Sequence, residues 1–357
     1  MRSELNGEKC RGMRVLVTGG CGFIGSHVVE ELLRRGVQVI AFDDMSVGSE
    51  ANLDGAREKW AGDAGAIKPL QVWGGDITDV SSLARAMAQC THVIHLAARL
   101  PSESNARNPL GVHSINATGT FQLLQMARRK GIARVVFGGT AQVYYGMGAV
   151  RDETSGVYAT STYTASKLCG EAYGQGLAHR KDSETEWVGL RYFTVYGPRQ
   201  SWRNIHGALV GRLVESCMRK RRIPLASRGP LYDLIYVEDA AVLTVNALLL
   251  SGDGRLAGSI VNIGTGFGFT ASEIITQVGG ILGIKTVVVH VPEDASGSVV
   301  HLRDRVSDTT RMNNLLVPDD SPHPIKVCLD EGLQRTVSWL KPVIYPGQKK
   351  KKKKKKK

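Results

Sequence analysis

Residues 13–43, MRVLVTGGCGFIGSHVVEELLRRGVQVIAFD, run as an apolar strand, a glycine-rich turn, an amphipathic helix and a second apolar strand that ends in an acid. The turn carries Gly20-x-Gly22-x-x-Gly25 overlapped by Gly19-x-x-Gly22-x-x-Gly25, directly after Val15-Leu16-Val17. Glycines in this pattern permit a tight turn, let backbone N–H groups approach a pyrophosphate, and let the helix pack closely on the sheet. The helix N-terminus that follows favours an anion. Asp43 closes the second strand about twenty residues beyond the turn, where a carboxylate accepts hydrogen bonds from the adenosine ribose hydroxyls. A negative charge there would repel a 2′-phosphate, so the segment reads as a site for NAD rather than NADP.

The same alternation continues. Strands are expected at 13–18, 37–43, 69–74, 92–97, 133–138 and 186–193, with helices near 23–35, 79–89, 106–130 and 161–180 between them. In the first helix Phe23, Ile24, Val28, Val29, Leu32 and Leu33 form one apolar stripe, and Gly36 supplies a left-handed cap. Strands alternating with helices imply a parallel sheet wound with crossover helices. Segment 44–68 is longer than most connections and should hold a short helix. Beyond about residue 194 the pattern changes to short strands (234–237, 259–263, 286–291) and helical stretches (206–220, 238–250, 270–283, 329–340). The expected fold is therefore α/β: a Rossmann-type doubly wound parallel sheet over 13–193 and a smaller mixed α/β lobe over 194–347, some of whose elements return to the first sheet.

The formal charge of +13 resembles a nucleic-acid footprint until its source is located. Nine lysines, Lys349 to Lys357, close the chain, and without them 37 basic residues face 33 acidic ones. The folded part is thus only mildly basic, and no specific nucleic-acid partner is expected. A lysine-rich end over 348–357 self-repels and reads as a disordered tail, either native or the product of a translated poly(A) stretch or an appended tag. No apolar run approaches the ~18 residues of a membrane span, and the first dozen residues lack the apolar core of a secretory signal, so a cytoplasmic location is expected. Six scattered cysteines without a Cys-x-x-Cys pair indicate neither a metal site nor a disulfide framework. Cys21, in the glycine loop, reads as a small filler, or as a reactive thiol if exposed at the helix N-terminus.

Tyr163-Thr-Ala-Ser-Lys167 gives the sharpest catalytic signal, because a spacing of four places both side chains on one helix face. Free tyrosine is a poor base at neutral pH, and lowering its pKa by about three units requires roughly 4 kcal/mol of phenolate stabilisation. The Lys167 ammonium and a positive nicotinamide can supply it. Thr140, at the end of the strand Val135-Val136-Phe137, is placed to align a substrate oxygen with Tyr163, since ligands bind at the carboxyl ends of parallel strands.

With Gly19, Gly22, Gly25, Asp43, Thr140, Tyr163 and Lys167 in this order, the chain resembles the extended short-chain dehydrogenase/reductase family, in its nucleotide-sugar epimerase and dehydratase branch. The likeness spans about 13–341. It includes Gly75-Asp76-Ile77, His95-Leu96-Ala97-Ala98, Asn116-Ala-Thr-Gly119-Thr120, Arg191-Tyr192-Phe193-Thr194-Val195-Tyr196-Gly197-Pro198-Arg199-Gln200, Ile235-Tyr236-Val237-Glu238-Asp239 and Asn262-Ile263-Gly264-Thr265-Gly266. The resemblance implies that Asp76 and Ile77 hold adenine and that Leu96, Ala97 and Ala98 line the pyrophosphate. It implies further that Phe23, Ile24, Asn116 and Tyr192 complete the cofactor side. His95 itself reads as a residue satisfying a strand position, since the Tyr-Lys pair already supplies the base. The resemblance also implies a homodimer built on helices 106–130 and 161–180. Sugar dehydratases of the family place Asp-Glu directly after the position of Thr140, and decarboxylases a glutamate; this chain has Ala141-Gln142, neither of which is an acid or base. The remaining likeness is to UDP-glucose 4-epimerases: Tyr163 takes the proton of a sugar 4-hydroxyl, Thr140 shares the hydrogen bond, and Lys167 holds the phenolate and the nicotinamide ribose.

Three departures fall on the substrate side. Thr194 stands where the family has asparagine, Tyr232 where an arginine grips a substrate phosphate, and 292–298 lacks the family's Arg-x-Gly-Asp. Tyrosine does not replace a bidentate guanidinium. Arg228, Arg303 and Arg305 are the neighbouring positions able to supply that charge. The expected substrate side is thus Thr140, Thr194, Arg228 and Tyr232. Two other readings stand beside the epimerase: a dehydrogenase or reductase that uses the same residues once per turnover on another alcohol or carbonyl, and an NAD-binding protein without turnover.

Overall fold

A computed structural model of the chain describes residues 10, 12–61, 68–145, 148–201, 208–220, 222–226, 229–250, 254–291, 305–318 and 322–346. Seven parallel strands form its main sheet: β1 (Arg14–Thr18), β2 (Gln38–Asp43), β3 (Leu70–Gly74), β4 (His92–His95), β5 (Arg134–Thr140), β6 (Glu186–Tyr192) and β7 (Ile260–Ile263). Their order across the sheet is β7-β6-β5-β4-β1-β2-β3. The direction of winding reverses at β1, which pairs with both β2 and β4, and a ligand crevice opens at such a switch point.

Helices of eight residues or more cover both faces of that sheet and build the second lobe. They are α1 (Phe23–Arg34), α2 (Val80–Met87), α3 (Thr120–Arg129), α4 (Thr162–Ala178), α5 (Leu209–Met218), α6 (Val237–Leu249), α7 (Ala271–Leu282) and α8 (Leu329–Ile344). Side-chain alternation along the strands decides which helix packs where. Val15 and Val17 of β1 join a core with α1 and α6, whereas Leu16 joins the opposite one with α2, α3 and α4. Both faces are buried, which is why the strands read as continuous apolar runs. The helix α1 ends as its sequence indicates, with Gly36 at φ +77°.

The second lobe has its own core, in which Leu213, Ile274 and Leu333 pack around Tyr196 and Tyr236. Its strands Thr194–Tyr196, Tyr232–Tyr236 and Gly268–Phe269 form a small sheet, and Arg222–Ala226 pairs with Val287–Val291.

One element departs from the sequence expectation. The helix expected over 106–130 is broken into Pro109–His113, a wider π turn at Ser114–Gly119, and α3. The reason is tertiary: Asn116 is turned inward, where its side chain bonds the backbone of Arg99 and the hydroxyl of Ser166. The strand expected at 259–263 is one of the elements that return to the main sheet, where it is β7, paired with β6. Segment 44–68 contains a 3-10 turn, Glu50–Leu53, and a short helix, Asp54–Lys59. The lysine tail, Arg228 and Arg303 lie outside the described residues. Among the described residues no helix is long and apolar enough to cross a membrane.

Candidate functional site

The glycine loop shapes one end of a cavity of about 470 Å³ at the carboxyl ends of the strands. Gly19 adopts φ +69°, and a Cβ there would lie 2.8 Å from the Ala97 nitrogen, so the loop lies directly against the backbone that follows β4. Gly22 caps α1 without any side-chain hydrogen bond. The Ser26 nitrogen takes up the Gly22 carbonyl at 3.1 Å, leaving the N–H groups of Phe23, Ile24 and Gly25 without partners inside the helix. Gly19, Gly22, Phe23, Ile24 and Gly25 all line the cavity. Bare donors, a helix N-terminus and closely approached backbone fit a pyrophosphate.

Asp43 sits at the mouth of the same loop. Its Oδ2 accepts from the Cys21 nitrogen at 3.0 Å and its Oδ1 from the Met45 nitrogen at 2.9 Å, which aims the carboxylate along the cavity wall. Burial pushes its pKa up, and those two backbone donors oppose the shift. Asp76, Ile77, Leu96, Ala97 and Ala98 extend this wall. Asp76 is bent onto Thr78, accepting from its nitrogen and hydroxyl at 2.8 Å each, so its side chain shapes the wall as a turn. Cys21 is fully buried and burial pushes its thiol up to about 12, which removes the reactive-thiol reading. Asn116 does not line the cavity; it holds Arg99, which does, and whose guanidinium pairs with Asp44 at 3.1 Å. His95 is a neutral brace: Nδ1 bonds Thr18 at 2.7 Å, Nε2 bonds Thr120 at 2.9 Å, and burial holds its pKa down at about 3.

At the other end, α4 presents Tyr163 and Lys167. The helix starts at a capping box, with the Ser161 hydroxyl accepting from the Thr164 nitrogen and the Thr164 hydroxyl from the Ser161 nitrogen. Gly170 draws the helix onto the sheet, since a Cβ there would lie 2.5 Å from the Phe137 ring. That close packing brings Lys167 Nζ to the Gly138 carbonyl at 2.7 Å and 6.0 Å from the centroid of the Tyr163 ring. The Thr140 hydroxyl accepts from the Gln142 nitrogen at 3.2 Å and lies near enough to Tyr163 to favour its phenolate. Burial pushes Tyr163 up to about 12, with Thr140 opposing, and pushes Lys167 down to about 8, with Glu171 opposing. Near neutral pH the pair is therefore a phenol beside an ammonium, and a further positive charge is needed to make Tyr163 a base.

Tyr192, Thr194 and Tyr232 also line the cavity. Tyr192 bonds Thr244 at 2.7 Å. Tyr232 pairs with Arg305 in a single parallel bridge, and both line the cavity. Gln142 and Arg199 also line it, as does Arg212, which the sequence did not single out. Arg199 has φ +68° and reaches across to α1, pairing with Glu30 at 2.6 Å and donating to the Ser26 hydroxyl at 3.3 Å. No local pattern marks Arg212, which reaches the cavity from α5. No cluster of three metal-ligating side chains occurs among the described residues.

Comparison with known proteins agrees with this geometry. The UDP-glucose 4-epimerase of Mycolicibacterium smegmatis is 29% identical over 332 residues, 92% of this chain and 99% of the relative. A crystal structure of UDP-glucose 4-epimerase with UDP-glucose from Thermotoga maritima superposes with a TM-score of 0.77 at 27% identity, covering 93% of this chain and all of that one. The Thermus thermophilus UDP-glucose 4-epimerase in complex with NAD gives 0.75 at 29% identity, over 92% and 99%. A family model described as the NAD dependent epimerase/dehydratase family matches residues 15–264, well over half of the chain. The chain belongs to the NAD-dependent epimerase/dehydratase family, and NAD is its cofactor.

Proposed function

We propose that this protein is an NAD-dependent 4-epimerase of a nucleotide sugar. The observation that carries the proposal is Lys167, anchored on the Gly138 carbonyl at 2.7 Å on the helix face it shares with Tyr163, beside Thr140 at a strand end followed by Ala141-Gln142. NAD, when bound, supplies reversible hydride acceptance from the sugar C4 and a positive nicotinamide that favours the phenolate. Tyr163 removes the proton of the 4-hydroxyl and later returns it. Thr140 orients that hydroxyl, and the Lys167 ammonium lowers the cost of the phenolate. Gly19, Gly22 and the first turn of α1 would hold the pyrophosphate, and Asp43 the ribose hydroxyls. Elimination of water needs a second acid–base pair near the sugar, and neither the buried Ala141 nor Gln142 supplies one. On the substrate side Arg305, beside Tyr232, takes the role of phosphate ligand. A homodimer is part of the same reading: Leu110 is 80% exposed, and Phe121 and Tyr173 stack edge to face at 5.1 Å on the outer faces of α3 and α4.

The test is proton NMR of the protein incubated with NAD and, separately, UDP-glucose, UDP-N-acetylglucosamine and UDP-glucuronate. The expected result is the anomeric signal of a 4-epimer from one of them, lost in Tyr163→Phe. No epimer from any of the three, with NADH accumulating instead, would overturn the epimerase in favour of a dehydrogenase.

A further inference from the structure

The helix that bears Tyr163 and Lys167 carries a third buried polar residue in the same row. Glu171 follows Lys167 by four residues, as Lys167 follows Tyr163, so all three share one face and all are buried. Three consecutive residues at the end of β5 receive them. Thr140 lies beside Tyr163, the Gly138 carbonyl accepts from Lys167, and Gly139 makes room for Glu171, whose Oε1 would lie 3.2 Å from a Cβ at that position. From β6, Arg191 grips Glu171 with both arms, Nε to Oε1 at 2.9 Å and Nη2 to Oε2 at 2.7 Å, each side chain 5% exposed. The guanidinium lies 4.8 Å from the centre of the Tyr144 ring, and the Tyr144 hydroxyl donates to Asn262 on β7 at 2.6 Å. Neither Glu171 nor Arg191 lines the cavity. A buried ion pair contributes little net stability over an apolar replacement, so stability alone is a weak account of this one.

We propose that Glu171, clamped by Arg191, is a positioning residue: its carboxylate is the counter-charge that keeps the Lys167 ammonium in place beside Tyr163. This rests on the role given to Tyr163 and Lys167 above. The groups facing Lys167 are few. Its own helix presents Tyr163 and Glu171, β5 presents the Gly138 carbonyl and the Phe137 ring, β4 presents His95, and β6 presents Arg191 behind Glu171. His95 is neutral, with its pKa held at about 3. Glu171 is thus the one anion acting on Lys167 among the described residues, and it opposes the burial that pushes the ammonium down. Arg191 completes the device, because an unpaired carboxylate so buried would take up a proton.

The experiment follows Lys167 itself by NMR titration of protein labelled with [ζ-15N]lysine, its signal identified by loss in Lys167→Arg. In Glu171→Gln the titration should fall by about one unit, a carboxylate's effect at close range. The alkaline limb of the kcat profile should move down with it while KM changes little. Glu171→Gln leaves Arg191 buried and unpaired, so a double variant with Arg191→Met keeps the test available if the single variant does not fold. It must shift Lys167 in the same direction. A folded single or double variant whose Lys167 titrates as in the wild type would reduce the pair to a brace and overturn the inference. A wild type that epimerises no UDP-sugar, while Lys167 still shifts on removal of Glu171, would overturn the function proposed above and leave this inference standing.

Discussion

Replacing Gly25 by alanine isolates what the glycine loop contributes. A Cβ at Gly25 would lie 2.8 Å from the Gly19 carbonyl carbon, closer still to its oxygen, and 3.0 Å from the Gly20 Cα. Carbon atoms separate at about 3.5 Å or more, so helix and loop must part by at least about 0.7 Å, and both partners are backbone with no rotamer to yield. Overpacking of this kind costs about 1–3 kcal/mol of stability. The larger effect falls on the cofactor. Moving the first turn of α1 lengthens the hydrogen bonds its N–H groups would give a pyrophosphate, and each such bond to a charged group contributes about 1.5–3 kcal/mol. Loss of one or two corresponds to a rise of about tenfold to ten-thousandfold in the Kd for NAD. Gly176→Ala is the control, because that glycine lies within α4 with open space where its Cβ would go. It should stabilise the protein by up to about 1 kcal/mol. Calorimetric titration with NAD, together with urea unfolding of both variants, reads the two effects. Gly25→Ala binding NAD as the wild type does, with an unchanged unfolding midpoint, would refute the argument that backbone contact fixes the loop.

Further predictions follow from single side chains. Asp43→Asn removes the charge that would repel a 2′-phosphate, so the ratio of NADP to NAD affinity should rise by about tenfold or more, measured by titration with each; an unchanged ratio would show that Asp43 does not read the ribose. Arg305→Gln should raise KM for the UDP-sugar by about tenfold with kcat nearly unchanged, as expected for uniform binding of substrate and transition state; a fall in kcat alone would place Arg305 elsewhere in the cycle. His27 and His95 are held neutral by burial, at about 4 and about 3, against an ordinary value near 6.5. The unfolded chain binds these protons first, so their contribution is complete above about pH 6.5 and is lost on acidification toward those values. The slope is roughly 1.4 kcal/mol per pH unit for each histidine, and denaturant unfolding between pH 7 and 4 in wild type and His27→Asn reads it; parallel curves would refute the assignment for His27.

The strands and most helices of the main sheet were legible because their signals are local: apolar runs of strand length, glycines at a tight turn, and a three-to-four apolar stripe on α1. The break at Ser114–Gly119 was not, because it depends on Asn116 bonding Arg99 and Ser166, and periodicity carries no record of such partners. The place of Ile260–Ile263 in the sheet was hidden for the same reason, since an apolar strand of four residues pairs equally well in either lobe.

Sequence by itself determined the family, the α/β fold and the cofactor NAD, because a glycine loop, an acid at a strand end and a Tyr-Lys pair four apart are defined by spacing along a single element. Only the tertiary structure decided which other charges stand near those residues. Arg305 reaches Tyr232 across 73 positions, Arg199 reaches Glu30 across 169, and Arg191 meets Glu171 from another strand. Electrostatic partnership acts through space, and in a buried site a charge is placed by the packing of distant elements rather than by its neighbours in the chain.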